Sequence, residues 1–240
     1  MSQNVEMIVF DMAGTTIKDN REVENCFLEA VTQTGLTTTH DEINSMMGWS
    51  KLAVFEKLWK QELPKAYEHD LAKRIDYSYS VFKKILESHY LNSEIFPTEG
   101  SVEIFKYIKE QNIKIALTTG FYRKVTDIIL HKLGWDEGLN AVHTGSQLIN
   151  ASISSDEVTA GRPAPYMIFR AMELCNITDV RKIIKIGDTP SDLAEGKNAG
   201  CKCSFGITNG THSKSELEIY ENDGLMENLF QFKTHLESIL

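Results

Sequence analysis

The sequence predicts an α/β fold in which a parallel sheet carries an inserted helical cap, and three observations lead there. Short apolar runs alternate with helical periodicities along most of the 240 residues, the pattern of a parallel sheet with crossover helices. A stretch after the first run keeps helical spacing for roughly seventy residues without a strand, too long for an ordinary crossover. Several runs end in polar residues of complementary kinds, as strand ends around a functional crevice do.

The first element is MIVF, Met7 to Phe10, an apolar run that ends on Asp11 and meets AGTT; it reads as a buried strand followed by a loop. The helical insertion spans 20–92, with Cys26, Phe27, Ala30, Val31, Tyr77, Val81, Phe82, Ile85 and Leu86 at helical spacing. It forms the expected cap domain, and 1–19 with 93–240 form the core. Pro97 and Gly100 mark the return to the sheet. Further strands are expected at Ile113–Thr118, Leu139–His143, Ile183–Ile186 and Lys202–Phe205. Helices over Ser101–Glu110, Tyr122–Leu133, Pro165–Leu174 and Ser191–Ala199 cover them. The tail from Ser215 to Leu240 is acidic and reads as a solvated helical face.

Composition narrows the function. With 25 Lys and Arg against 34 Asp and Glu, a net charge of −9 excludes a nucleic-acid clamp driven by bulk charge. The 42% apolar and 25% charged content excludes disorder and fibres. MSQNVEM has no basic or apolar leader character, and no apolar run approaches the ~18 residues of a membrane span, so a cytoplasmic chain without membrane contact is expected. Four sparse cysteines fit a reducing compartment. Cys201 and Cys203 are expected to pack on one face of a short strand rather than to bind metal. His40, His69, His89, His131, His143 and His212 are scattered without ligand spacing, so no histidine catalyst is expected.

Chemistry gathers at the predicted strand ends. They carry Asp11, then Thr118, Thr119 and Gly120, then Asp188 and Asp192 in GDTPSD; Arg162 in GRPAP stands just ahead of a helix. Three converging carboxylates repel one another unless a divalent cation neutralises them. Mg²⁺ suits the set, with Asp11, Asp188, a backbone carbonyl assigned to Ala13, and Asp192 as candidate ligands. Donors at Thr119 and Gly120 and the Arg162 guanidinium would hold phosphoryl oxygens.

These motifs, DMAGTT, LTTG, Arg162 in GRPAP and GDTPSD, stand in the order of the haloacid dehalogenase superfamily, which the whole chain resembles. The resemblance implies a Rossmann-type core and makes Asp11 the nucleophile that becomes an aspartyl phosphate. Most phosphatases of that superfamily carry a general acid where this chain has Ala13. Losing proton donation removes a contribution of about 10²–10⁴ in rate, which implies a different leaving group. DMAGTT and AGRPAP resemble the phosphonatases (phosphonoacetaldehyde hydrolases), whose cap lysine forms a Schiff base that accepts the electrons of the broken carbon–phosphorus bond. MGWSK places Lys51 at that lysine, with Met47 and Gly48 matching. The resemblance sets Ala13, Gly14, Met47, Gly48 and Gly120 against the substrate, with Asp11, Lys51, Thr119 and Arg162 as the catalytic group. Val54 stands where the phosphonatases have a His and Phe121 where they have a Tyr. A sister group of phosphonatase-like hydrolases shares the motif-one alanine.

The expected partner is a small phosphonate or phosphate. A small-molecule phosphatase with Lys51 as an anion clamp is the alternative, and a degenerate binding protein stands behind both. A homodimer is among the assemblies the sequence allows.

Overall fold

The computed structural model describes residues 5–64 and 69–239. The outermost residues of the expected core, 65–68 of the expected cap and the last residue of the tail lie outside them. Strand β1 (Met7–Asp11) is buried along its whole length because parallel partners flank it on both sides, β2 (Lys114–Thr119) and β4 (Ile183–Gly187). With β3 (Ala151–Ser154), β5 (Cys203–Ile207) and β6 (Leu225–Met226) the sheet runs β3-β2-β1-β4-β5-β6, every pair parallel. Chain order runs outward from β1 through β2 to β3, then reverses to β4 on the other side. The crevice at the carboxyl ends of β1, β2 and β4 is thus a topological switch point, where ligands bind in open α/β sheets.

Strand pleating sorts the core into two layers. Ile8 and Phe10 face a cluster with Ile104 and Phe105 of α5 (Ser101–Glu110), Ile129 of α6 (Arg123–Leu133) and Phe232 of α10 (Leu229–Ile239). Met7 and Val9 face Met167 and Ile168 of α7 (Tyr166–Cys175). Helix α8 (Pro190–Ala199) packs on β4 and β5.

Between β1 and α5 the chain forms α1 (Glu22–Thr34), α2 (His40–Ser45), α3 (Lys51–Glu62) and α4 (Leu71–Asn92), with no strand among the described residues. Helices α1 and α3 both pack on α4 around three aromatics; the Phe27 and Phe82 rings stack 4.2 Å apart and Phe55 lies 5.5 Å from each. The helical stretch leaves and rejoins the sheet through two segments bonded to each other: Lys18 N–H donates to Phe96 O at 3.0 Å, and Thr98 N–H to Thr16 O at 2.9 Å.

Four of the expected strands and the helices beside them form within one or two residues of their expected ends. The strand expected at 139–143 does not form. Asn140 folds that segment into a turn, its side-chain oxygen accepting from Val142 N–H and Thr144 N–H, and Val142 is exposed. The sheet instead takes Ala151–Ser154, whose polar letters hide a buried strand: Ser154 Oγ donates to Thr126 Oγ1 at 2.8 Å.

The tail is also corrected. It contains a four-residue helix, α9 (Lys214–Leu217), then β6 and α10, and α10 buries Leu229, Phe232 and Leu236 rather than lying on a solvated face. Phe232 meets Phe10 and Phe205 at 6.2 and 5.8 Å. Cys201 and Cys203 do not share a face. Cys201 N–H closes the end of α8 on Gly196 O, so Cys201 precedes the strand and packs against the α7 layer, while Cys203 packs against the other.

Candidate active site

Asp11 ends β1 and is 4% exposed. The loop after it turns tightly: Thr15 and Thr16 N–H both donate to Met12 O, and Thr16 Oγ1 donates to Asp11 O at 2.9 Å. Gly14 sits at φ +88°, and a Cβ there would lie 2.1 Å from Asp188 Oδ2, so this position requires glycine. The loop delivers Thr15 Oγ1 to Asp188 Oδ1 at 2.8 Å, while Thr211 N–H donates to Asp188 Oδ2 at 2.6 Å.

Asp188 follows β4, and Asp192 lies in the first turn of α8, where it completes a capping box with Thr189. Oxygens of Asp11, Asp188 and Asp192 lie within 4.8 Å of one another, a donor set of the kind that holds a hard divalent cation. Burial, then Asp192 and Asp188, push the Asp11 carboxyl up to about 7 against the pull of Arg162. Burial and Asp192 likewise raise Asp188. Asp192 goes the other way: burial opposes its charge, but Arg162 and Lys185 hold it below the usual carboxylate range.

Arg162 precedes α7 and is 3% exposed. Every face of its guanidinium is used. Nη1 lies 2.5 Å from Asp11 Oδ1 and 2.9 Å from Asp192 Oδ1, Nε donates to Glu195 Oε2 at 3.0 Å, and Nη2 donates to Thr118 O and Oγ1 at 2.7 and 2.9 Å. Thr119 Oγ1 accepts from Phe121 N–H at 3.1 Å, which holds the turn beyond β2.

The helical stretch closes the site from above. Met47, Gly48 and Lys51 line one small cavity with Asp11, Ala13, Thr119, Gly120 and Phe121. Its free space is about 10 Å³, roughly one water. Two glycines permit this closeness: a Cβ on Gly48 would lie 2.3 Å from Ser191 Oγ, and one on Gly120 would lie 2.4 Å from Trp49 O.

Lys51 begins α3, whose first turn is capped by Ser50 Oγ accepting from Ala53 N–H. The side chain is 5% exposed and makes no hydrogen bond or ion pair among the described residues. Its Nζ lies 5.1 Å from the Phe121 ring centre and 5.7 Å from that of Phe27. Burial lowers this amine to about 8, opposed by Asp11 and Asp19 and assisted by Arg162. A helix N-terminus also disfavours a cation. A buried amine poised near neutrality beside an acidic centre can act as a nucleophile.

Three participants escaped the sequence reading: Lys185 and Glu195, both buried, and the half-buried Thr211. Lys185 is a charge in the middle of the apolar run IIKIG, and that oddity is the signal that could have flagged it. Glu195 stands three residues beyond Asp192, on the same helical face. Val54 and Phe121 are both 1% exposed, so the wall around the Lys51 stem is apolar.

The model of the haloacid dehalogenase-like hydrolase family matches residues 8–205. A phosphonoacetaldehyde hydrolase of Bacillus cereus (strain G9842) is 31% identical over 229 residues, covering 91% of this chain and 80% of its own. One from Parabacteroides distasonis is 30% identical over 218 residues, covering 88% and 78%. Among solved structures, a phosphonoacetaldehyde hydrolase-like protein from Oleispira antarctica superposes with a TM-score of 0.78 at 18% identity, over 99% of this chain and 93% of that one. A hydrolase from Pseudomonas syringae superposes with 0.76 at 18%, over 98% and 99%. No helix among the described residues is long and apolar enough to cross a membrane. A match across most of the core, joined to the ordered strand-end motifs, places the chain in the haloacid dehalogenase-like hydrolase family.

Proposed function

We propose that the chain cleaves the carbon–phosphorus bond of phosphonoacetaldehyde, or of a close relative, by phosphoryl transfer to Asp11 with Lys51 as the imine-forming residue. The observation that carries the reading is the Lys51 amine, buried without a hydrogen-bond or ion-pair partner among the described residues and lining one cavity with Asp11. A lysine kept only to grip an anion gains nothing from being held near neutrality, whereas an amine that must attack a carbonyl does.

Bulk water enters the sequence twice, once for the imine and once for the aspartyl phosphate. The neutral Lys51 amine adds to the aldehyde and loses water, forming an imine. Asp11 attacks phosphorus, and the electrons of the broken bond enter the imine as an enamine. Protonation and hydrolysis of the resulting imine release acetaldehyde and the free lysine, and water cleaves the aspartyl phosphate to give phosphate. The contact from Arg162 Nη1 fixes the carboxylate of Asp11 and keeps a positive charge beside the oxygen that attacks phosphorus.

Asp11 and Asp188, whose carboxylate oxygens lie together, would hold Mg²⁺ with the carbonyl of Ala13 as a further ligand. Asp192 completes the acidic group while its oxygens hold Arg162, Lys185 and Thr189. Such a cation supplies charge that relieves the carboxylate repulsion and neutralises phosphoryl oxygens. The stretch over 20–92 serves as the cap, excluding water from the imine. The proposed setting is cytoplasmic.

A second reading, a small-molecule phosphatase in which Lys51 binds the substrate anion, is favoured by the apolar residues Val54 and Phe121 beside the lysine, which relay no proton. Incubation with phosphonoacetaldehyde and borohydride separates the two. A reduced adduct on Lys51 is expected; absence of the adduct, with turnover unaffected by Lys51→Ala, overturns the C–P reading.

A further inference from the structure

Two buried charges take no part in the chemistry just described, Lys185 on β4 and Glu195 on α8. Both side chains are 0% exposed. Lys185 Nζ lies 2.7 Å from Asp192 Oδ1 and 3.3 Å from Glu195 Oε2, and it reaches Thr118 Oγ1 at 3.4 Å. Those two carboxylate oxygens are the ones that grip Arg162, at Nη1 and Nε respectively. Lys185 and Arg162 therefore share the same pair of acceptors and the same threonine. Glycine at 196 makes the approach possible: a Cβ there would lie 2.8 Å from the Lys185 Cβ and 2.4 Å from Ser204 Oγ, so α8 rests directly on the sheet.

The arrangement is unfavourable if packing were its only purpose. Glu195 Oε1 is buried with no hydrogen-bond partner. Counting Asp11, Asp188, Asp192 and Glu195 against Arg162 and Lys185, the buried group carries a formal excess of two negative charges. Apolar residues of similar volume usually replace a buried ion pair without loss of stability.

We infer that Lys185 and Glu195 are positioning residues that fix the rotation of Arg162, so that Nη1 stays on the Asp11 carboxylate that accepts the phosphoryl group. Glu195 holds Nε and Thr118 holds Nη2, leaving the guanidinium no freedom to turn. Lys185 keeps the Asp192 and Glu195 carboxylates from repelling each other and from drawing Arg162 off Asp11. The inference rests on Asp11 as the phosphoryl acceptor and is independent of whether Lys51 forms an imine.

The test compares Lys185→Met, Glu195→Gln and the double variant in the full chain with Mg²⁺. Turnover is followed with phosphonoacetaldehyde and with p-nitrophenyl phosphate, and binding is followed as the thermal shift produced by beryllofluoride. Lys185→Met is expected to lower kcat by about tenfold or more with KM changed less than about threefold, the pattern of a contact made only in the transition state. The double variant, which removes one of the two repelling charges, is expected to recover at least about fivefold over Lys185→Met. Borohydride trapping on Lys51 stays at the wild-type level.

Absence of trapping in the wild type, together with the kcat loss of Lys185→Met on p-nitrophenyl phosphate, sinks the C–P reading and leaves the positioning role standing. If neither substrate turns over, loss of at least half of the beryllofluoride shift in Lys185→Met supports the role, and an undiminished shift overturns it. If Lys185→Met does not fold, Glu195→Gln, which keeps the size but replaces the charged acceptor of Nε by a neutral amide, reads the same kcat loss. Single variants within threefold of wild type, or losses that multiply in the double variant, overturn the inference.

Discussion

Replacing Lys51 by methionine should make the protein more stable at neutral pH while removing the proposed C–P cleavage. The fold lowers this amine from 10.5 to about 8, through burial first. At about 1.4 kcal/mol per unit, that drop sets the protonated lysine at roughly 3 kcal/mol against folding. The unfolded chain keeps the proton up to about 10.5 and the folded chain only up to about 8. The penalty is thus full below pH 8 and is relieved as pH climbs from 8 to 10.5. Methionine has similar length and no charge, and it forfeits the ammonium's attraction to the Phe27 and Phe121 rings.

The expected gain at pH 7 is therefore about 2–3 kcal/mol, a midpoint rise of roughly 4–12 °C for a chain of this size. Urea unfolding of wild type and Lys51→Met, each at pH 7 and pH 10.5, provides the assay, because the gap between the two proteins should close at the higher pH. Equal stabilities at pH 7, or a gap of the same size at both values, would refute the claim that the buried ammonium is what the fold tolerates for function.

Three further outcomes follow from the geometry. Gly48→Ala should lower turnover by about tenfold or more with the global fold intact by circular dichroism, because the new Cβ meets Ser191 and Thr189 oxygens inside 2.5 Å at a φ of +84°. Mg²⁺ should raise the thermal midpoint of the wild type and leave that of Asp188→Asn almost unmoved, as scanning fluorimetry would show, since the carboxylate pair that repels itself is then incomplete. Phe232→Ala should cost about 3–5 kcal/mol in chemical denaturation, a loss far too large for a residue on a solvated tail.

The site was legible where chemistry interrupts an apolar run. Asp11 and Thr119 end strands that must be buried and Asp188 follows one, and a polar residue there has few roles besides a ligand or a turn. Lys51 was legible through the company it keeps, MGWSK, and Gly48 earns its place only once Thr189 and Ser191 are seen pressed against it. The third strand was misplaced because Leu139–His143 carries more apolar letters than Ala151–Ser154, and hydrogen-bonded serines can be buried as readily as aliphatics. Lys185 and Glu195 were missed for a related reason. A charge inside a core is read from sequence as an exception, and its partners, in the next helix and in the loop before α7, become visible only when the elements are docked.

The two strips of backbone near Lys18 and Phe96, knitted to each other by backbone hydrogen bonds, have an evolutionary reading. Everything between them exits and re-enters at a single doorway, so one roof could be exchanged for another without shifting any strand beneath. New substrates could then be explored by rewriting the roof alone, while the acidic floor at the strand ends is inherited unchanged.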